Sequence, residues 1–170
     1  MPKSEQGASS DRYQIIPPSL IFVTHRQQIL LIKGAPTKRL WANRYNGIGG
    51  HIERGEDVLN AARRELREET GLTGGDLWLC GTVMVDASDQ TGIGIFIFRC
   101  DYGEDESVQP VASEEGTLEW HRANALDGLP LVDDLKVLLP IISAMRRQDA
   151  PFFARSFYDE QERLRVVVSQ

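Results

Sequence analysis

Residues 49–72 read GGHIERGEDVLNAARRELREETGL, and the segment RELREE within them carries five charges in six residues. If this segment is helical, Glu65, Glu68 and Glu69 stand at positions i, i+3 and i+4, so their carboxylates share one face. Like charges at these spacings cost a helix roughly 0.2–0.5 kcal/mol per pair. The sequence therefore raises the question of what offsets this repulsion.

The position of the carboxylates around the helix limits the possible explanations of how their repulsion is offset. At about 100° per residue with Glu65 at zero, Glu68 lies at about −60° and Glu69 at about +40°. The apolar face, which includes Leu66, begins at about 60°, so the carboxylates border the buried side rather than the middle of the solvent side. One interpretation is an ordinary surface helix, because Arg64 precedes Glu68 by four residues and can pair with it.

The second interpretation is a metal site. Three carboxylates beside a buried face repel one another unless a cation neutralises them. Mg²⁺ takes a few carboxylate oxygens and leaves its other positions to water and substrate phosphate. Gly49 and Gly50, which precede the helix, would then let a backbone carbonyl and a phosphate approach closely, because they have no side chains.

The spacing of these residues resembles the Nudix box, and nine specified positions match within the 23 residues from 50 to 72. The resemblance implies an α/β fold, a Nudix-type α/β/α sandwich with a mixed sheet and a loop-helix-loop metal site. It also implies metal-dependent attack of water on a diphosphate linkage. The matching residues are Gly50, Glu56, Arg64-Glu65-Leu66, Glu68-Glu69 and Gly71-Leu72.

The resemblance also assigns roles. Glu56 and Arg64 would pair to hold the loop and helix in shape. Glu65 or a carboxylate of the acidic loop 103–116 would be the general base. The ligands of Mg²⁺ or Mn²⁺ would be the carbonyl of Gly50 and the carboxylates of Glu65, Glu68 and Glu69.

A further metal ligand is expected outside the box. Some relatives have an additional glutamate just ahead of a strand that follows the box, and EEGTLEW offers Glu114 and Glu115 here. We favour Glu115, which stands five residues before Trp120. The alternative is that both belong to a solvated acidic loop.

The substrate has to be selected by residues outside the box. Asn46 matches the asparagine with which MutT-like nucleoside triphosphate diphosphatases contact a purine, although an asparagine in a turn is an equal explanation. Asp133 and Asp134 match two adjacent aspartates of the same enzymes, but either could instead cap the helix that follows. The tryptophan of those enzymes is missing, because Leu131 or Val132 takes its place.

The main functional prediction is therefore an enzyme, a diphosphatase of a possibly oxidised purine nucleoside triphosphate that yields the monophosphate and pyrophosphate. One alternative is a pyrophosphatase of ADP-ribose or another nucleoside diphosphate derivative, although that class usually has a longer N-terminal domain. The other is a non-catalytic Nudix-fold binding module, although such proteins usually lose box glutamates.

Length and composition limit the other classes of function. The 170 residues predict a disordered tail over residues 1–13 and one domain over 14–170. A net charge of −6 without a basic cluster argues against a duplex nucleic-acid partner. No apolar run approaches the ~20 residues that cross a membrane.

Cys80 and Cys100 lack metal-site spacing, so we expect reduced thiols in a cytoplasmic protein. Monomer and homodimer both remain open.

The rest of the chain predicts a mixed sheet with helices packed against it. The box helix should begin near Glu56-Asp57 and stop at Gly71. A second helix is predicted over Asp134–Arg147, kinked or restarted at Pro140. The predicted strands are Ser19–His25 and Gln28–Gly34 as a hairpin, a short strand or turn over Gly47–Glu53, Leu77–Asp86, Ile93–Tyr102, Leu118–Arg122, and a C-terminal hairpin turning at Asp159–Gln161.

Overall fold

The computed structural model describes Pro2, Gly7 and residues 11–103, 109–110 and 115–169. Most of the predicted tail, much of the acidic loop and Glu114 lie outside these residues. The described part contains nine strands and two helices. These are β1 Gln14–Ile16, β2 Ser19–His25, β3 Gln28–Gly34, β4 Tyr45–Asn46, α1 Val58–Thr70, β5 Asp76–Asp86, β6 Thr91–Asp101, β7 Gly116–Arg122, α2 Leu135–Ala144, β8 Phe152–Tyr158 and β9 Leu164–Ser169.

All nine strands belong to one mixed sheet. Its main order is β4-β3-β2-β6-β5-β8-β9, with β1 beside β6 and β7 beside β3. The predicted β2–β3 hairpin is confirmed: its strands are antiparallel, and its turn residues Arg26 and Gln27 have φ of 47° and 61°. Positive φ at both turn residues matches the twist of a two-residue hairpin. Strands β2 and β6, and β5 and β8, pair in parallel across crossover connections.

Each helix covers one face of the sheet, which confirms the predicted α/β/α sandwich. Alternate residues of β2 point to opposite faces, and every residue of β2 is at least half-buried. Helix α1 packs Ala62 and Leu66 against Ile21, Val23 and Leu30. Helix α2 covers the other face, with Leu135, Leu138, Leu139 and Ile142 in one cluster with Phe22, Ile29 and Leu31.

The helix boundaries differ slightly from the prediction. Helix α1 begins at Val58 because Asp57 caps it, and Gly71 ends it with φ of 70°. Helix α2 runs through Pro140 and ends at Ala144 rather than Arg147. The Arg99 guanidinium explains the early end, since its Nη1 donates to the carbonyls of Ile142 at 3.2 Å and Met145 at 2.6 Å.

Two short strands were not expected as such. Strand β1 is exposed and pairs in parallel with β6, and β4 contains two residues paired with β3. The segment 47–53, predicted as a strand or turn, forms isolated bridges that join Ile48 to Ile21 and His51 to Pro18. The C-terminal hairpin is confirmed by the antiparallel pairing of β8 and β9. In the described residues, no helix is long and apolar enough to cross a bilayer.

Candidate active site

Helix α1 is fixed at both ends by local hydrogen bonds. The Asp57 carboxylate accepts from the backbone N–H groups of Leu59 at 3.0 Å and Asn60 at 2.9 Å. The Gly71 N–H donates to the Arg67 carbonyl at 2.8 Å in a left-handed cap. Because such caps satisfy the backbone groups that a helix leaves unpaired, the register of the glutamates on α1 is well defined.

Arg64 organises the start of the site. Its Nε donates to Glu56 Oε1 at 2.8 Å and its Nη2 to Glu56 Oε2 at 2.9 Å, a two-pronged pair. Its Nη1 reaches Glu65 Oε1 at 2.7 Å and Glu68 Oε2 at 3.2 Å. Nη2 also donates to the His51 carbonyl at 3.1 Å. One guanidinium therefore joins the loop before α1 to two of the three carboxylates, and its hydrogen bonds lower the pKa of Glu56.

Glu69 lies on the other side of the carboxylate face, against the glycine loop. Its Oε2 accepts from the Gly49 N–H at 3.2 Å. Burial raises the pKa of Glu69 to about 7, and the charges of Glu65 and Glu115 add to the rise, whereas the Gly49 N–H and Lys38 oppose it. A carboxylate that is this desolvated and faces two like charges gains from a cation beside it.

The glycine loop fits closely between β2 and α1. A Cβ at Gly50 would lie 2.5 Å from Glu65 Oε1, and a Cβ at Gly49 would lie 2.2 Å from the Ser19 carbonyl. The Gly50 carbonyl, predicted as a metal ligand, accepts from the Ser19 N–H at 2.8 Å. A carbonyl oxygen has two lone pairs, so this bond leaves one for a cation. Glycine is required at position 49, where φ is +147° and the nearest atoms are backbone, whereas at Gly50 the Cβ would meet only the movable end of the Glu65 side chain.

Glu115 stands at the edge of this region, directly before β7. Its carboxylate forms an ion pair with Lys38, and its carbonyl accepts from the Ala35 N–H at 3.3 Å. Its charge and that of Lys38 both act on Glu69. The structure therefore brings the predicted additional ligand into electrostatic range of the box carboxylates.

The carboxylates do not converge on one point in this structure. Within the described ranges, no three His, Cys, Asp or Glu side chains are grouped closely enough to hold a metal ion. Glu65 and Glu68 are turned toward Arg64, and Glu69 toward Gly49. The donor set still fits a hard divalent cation, because it consists of carboxylate and carbonyl oxygens around a backbone without side chains.

The predicted substrate residues lie on two segments that pair with each other. Tyr45 donates its N–H to the Pro130 carbonyl at 2.9 Å and accepts from the Val132 N–H at 3.0 Å. This short parallel ladder places Asn46 beside the segment that leads to Asp133 and Asp134. Asn46 therefore lies in the same region of the fold as Asp133 and Asp134, although 87 and 88 positions separate it from them in the sequence.

The three side chains have different surroundings. Asn46 Oδ1 accepts from the Gly47 N–H at 2.9 Å, which is the turn interaction considered above. Asp133 is exposed and pairs with Lys136 at 2.7 Å and with Arg44 at 3.1 Å, so its pKa is lowered. Asp134 makes no side-chain cap to α2, its Oδ1 is buried without a hydrogen-bond partner, and burial raises its pKa.

Sequence reasoning missed several polar contacts near this region. The Tyr45 hydroxyl donates to Glu119 at 2.7 Å, which with burial raises the pKa of Tyr45 to about 12. Arg44 donates to the Leu131 carbonyl at 3.3 Å. The sequence offered one indication of such contacts, which is the concentration of positive charge in one loop of an acidic chain, at Lys38, Arg39 and Arg44. The partners of these side chains lie too far along the sequence to be read from spacing.

Comparison with known proteins decides the family. The model of the NUDIX domain matches residues 17–140, nearly three quarters of the chain. This chain belongs to the Nudix family. The match begins just before β2 and ends within α2, so it covers the box, the loop that carries Glu115 and the segment with Asp133 and Asp134.

Two curated proteins similar to this Nudix chain have the same name. An oxidized purine nucleoside triphosphate hydrolase from Danio rerio is 35% identical over 103 residues, 60% of this chain and 63% of that protein. A protein of the same name from Mus musculus is 31% identical over 116 residues, 68% of this chain and 69% of that one. The chain thus spans somewhat under two thirds of the length of the fish relative.

Solved structures support the same fold. A MutT protein from Bacillus halodurans superimposes with a TM-score of 0.73 at 21% identity, covering 91% of this chain and 97% of that one. Nudix proteins of this kind use divalent metal ions. The oxygen-donor face of α1 in this Nudix chain is the part of the structure suited to hold such an ion.

Proposed function

We propose that this chain is a metal-dependent diphosphatase that hydrolyses a purine nucleoside triphosphate to the monophosphate and pyrophosphate. The observation that carries the proposal is the carboxylate face of α1, held by the Arg64–Glu56 pair against the Gly49-Gly50 loop. The metal would be Mg²⁺ or Mn²⁺, which both favour carboxylate oxygens and phosphate.

The residues would share the work as follows. Glu65, Glu68, Glu69, Glu115 and the Gly50 carbonyl would hold the ion. A bound divalent cation supplies charge neutralisation on the diphosphate and makes water a stronger acid. Glu65, or a carboxylate of the acidic loop, would take the proton from the water that attacks phosphorus. One P–O bond of the anhydride breaks as the new P–O bond forms, and pyrophosphate leaves.

The purine would be bound by Asn46, Asp133 and Asp134. The buried, unpartnered Oδ1 of Asp134 supports this role, because a buried acceptor without a donor costs about 1–3 kcal/mol unless a ligand supplies one. A purine edge offers N–H donors of this kind. The names of the fish and mouse relatives support an oxidised purine as the base. Leu131 and Val132, both buried, occupy the place of the expected tryptophan, so a stacking contact from this position is not proposed.

We further propose that the protein works in the cytoplasm. Cys80 and Cys100 are buried thiols rather than halves of a disulfide, and burial raises the pKa of Cys80 to about 12. Such thiols are inert packing groups suited to a reducing compartment. Whether the working form is a monomer or a homodimer stays a prediction to be tested by its mass in solution.

A substrate panel tests the proposal. Oxidised and ordinary purine nucleoside triphosphates, ADP-ribose and a dinucleoside polyphosphate are each incubated with Mg²⁺ or Mn²⁺, and the products are identified. We expect the highest kcat/KM for a purine nucleoside triphosphate, with pyrophosphate released rather than orthophosphate. Faster turnover of ADP-ribose or of the dinucleoside polyphosphate would overturn the substrate assignment and leave the metal chemistry in place.

A further inference from the structure

Lys38 is a second cation at the carboxylate site, in addition to Arg64. Its ammonium pairs with Glu115, and its charge also acts on Glu69. Both of these carboxylates are proposed metal ligands. Unlike Arg64, whose side chain is mostly buried and bonded to four groups, the Lys38 side chain is 39% exposed and lies in a loop. It is therefore the cation that can leave most easily.

The loop that carries Lys38 connects the two halves of the site. The loop follows β3. Within it the Lys38 N–H donates to the Ala35 carbonyl at 3.0 Å, and the Ala35 N–H donates to the backbone carbonyl of Glu115 at 3.3 Å. At its other end the loop runs directly into β4, which contains Asn46. A change in the Lys38–Glu115 contact is thus placed to affect the loop between the metal ligands and the purine-binding residues.

Because Glu115 is a proposed metal ligand, a divalent ion would compete with the Lys38 ammonium for its carboxylate. We propose that Lys38 is an internal counter-ion of Glu115 which a divalent metal ion must displace, and that this displacement moves the loop of residues 35–44. The inference rests on the proposed metal-binding function. It assigns to Lys38 a positioning role: the lysine sets the metal affinity and couples the metal site to the loop.

Competition predicts a specific pattern of Mn²⁺ affinities, measured on the whole chain by electron paramagnetic resonance of free Mn²⁺. Replacing Lys38→Met should tighten Mn²⁺ binding about two- to fivefold, which corresponds to the strength of an exposed ion pair. Arg39→Met, which removes an equal charge from the next residue of the same loop, is the matched control and should have a smaller effect. Lys38→Arg should stay close to the wild type.

A double-mutant cycle separates competition from a general charge effect. In the Glu115→Gln background, where the shared carboxylate is gone, the effect of Lys38→Met on Mn²⁺ affinity should shrink to the smaller part that acts through Glu69. An equal effect of Lys38→Met in both backgrounds would overturn the inference. So would equal effects of Lys38→Met and Arg39→Met in the wild-type background.

Movement of the loop of residues 35–44 can be measured separately, by tryptophan fluorescence. Trp41 is 46% exposed and lies in the loop, so its fluorescence should change when Mg²⁺ is added. The change should be lost in Trp41→Phe, which assigns it to this residue, and should be strongly reduced in Lys38→Met. A change of wild-type size in Lys38→Met would also overturn the inference.

These measurements involve no turnover, so they are independent of the substrate. A chain that shows the Lys38 pattern but hydrolyses no purine nucleoside triphosphate contradicts the proposed function alone. A chain that hydrolyses purine nucleoside triphosphates but shows no Lys38 pattern contradicts the inference alone.

Discussion

The Arg64 guanidinium donates two hydrogen bonds, of 2.8 and 2.9 Å, to the Glu56 carboxylate. The same guanidinium also donates to the carboxylates of Glu65 and Glu68. This contact joins the loop before α1 to the face that is proposed to hold metal. A planar fork of donors can make all of these bonds at once, whereas a lysine ammonium cannot. The position of the carboxylates therefore depends on an arginine at this place.

The first prediction concerns that arginine. Arg64→Lys keeps the charge but loses the two-pronged geometry, so kcat should fall about 10- to 100-fold, as is typical when a group that orients metal ligands is changed. The far-ultraviolet circular dichroism should remain that of the wild type. Arg63→Lys, on the exposed side of the same helix, is the control. If the kcat of Arg64→Lys stayed within twofold of the wild type, the two-pronged Arg64–Glu56 pair would not be needed for catalysis.

A second prediction follows from the space around Gly50. Gly50→Ala places a Cβ 2.5 Å from Glu65 Oε1, and the flexible end of that glutamate can move away. The melting temperature should then change little, while Mn²⁺ affinity should fall several-fold because a ligand is displaced. Gly55→Ala is the contrasting variant, since its Cβ meets nothing within 4 Å but its φ of +95° is strained. It should lower the melting temperature and leave Mn²⁺ affinity unchanged; the reverse pattern would contradict this account of the loop.

The third prediction separates the two aspartates. Asp134 has a buried, unpartnered oxygen, whereas Asp133 is exposed and neutralised by Arg44 and Lys136. Asp134→Asn should therefore raise KM for a purine nucleoside triphosphate about tenfold, with a smaller change in kcat. The substitution replaces one of the two acceptor oxygens of the carboxylate by an NH₂ donor, which cannot pair with a purine N–H. Asp133→Asn should raise KM less. Equal effects of the two changes would remove Asp134 from purine binding.

The fourth prediction uses the pKa of Glu69. Its value of about 7 lies above the ordinary 4.5, so the unfolded chain loses this proton first as pH rises. Metal-depleted wild type should lose stability between about pH 4.5 and 7 relative to Glu69→Gln, which has no proton to lose. In EDTA at pH 8 the variant should be more stable, by on the order of 3 kcal/mol.

Urea unfolding at pH 4.5 and pH 8 measures this difference. Glu160→Gln, an exposed carboxylate in the turn of the C-terminal hairpin, serves as the control. A stability difference between Glu69→Gln and wild type that is the same at both pH values would show that burial of Glu69 carries no such cost.

The sequence predicted what is local. Helix α1 could be placed to within two residues because its caps, its periodicity and its terminal glycine lie within one continuous segment. The β2–β3 hairpin followed in the same way. The two-residue strand β4 could not be predicted, since only its pairing with β3 and with the 130–132 segment defines it. The early end of α2 depends on Arg99, which lies in a distant strand.

The same distinction between local sequence and tertiary packing applies to the residues of the candidate site. The shared face of Glu65, Glu68 and Glu69 follows from spacing alone, and the Nudix resemblance added Glu56 and Gly50. The Lys38–Glu115 pair joins residues 77 positions apart and comes together only because β3 and β7 are neighbours. The orphaned oxygen of Asp134 is likewise a property of packing, since the sequence alone favoured equally a helix cap that the structure does not contain.

The most direct test of the central claim is the rate of pyrophosphate release from a purine nucleoside triphosphate as a function of Mg²⁺, for wild type and Glu68→Gln. Wild type should be active with Mg²⁺ and inactive in excess EDTA. Glu68→Gln should fold normally and lose several orders of magnitude in kcat. Pyrophosphate release that continues in excess EDTA, or that survives unchanged in Glu68→Gln, would contradict metal-dependent hydrolysis by the carboxylate face of α1.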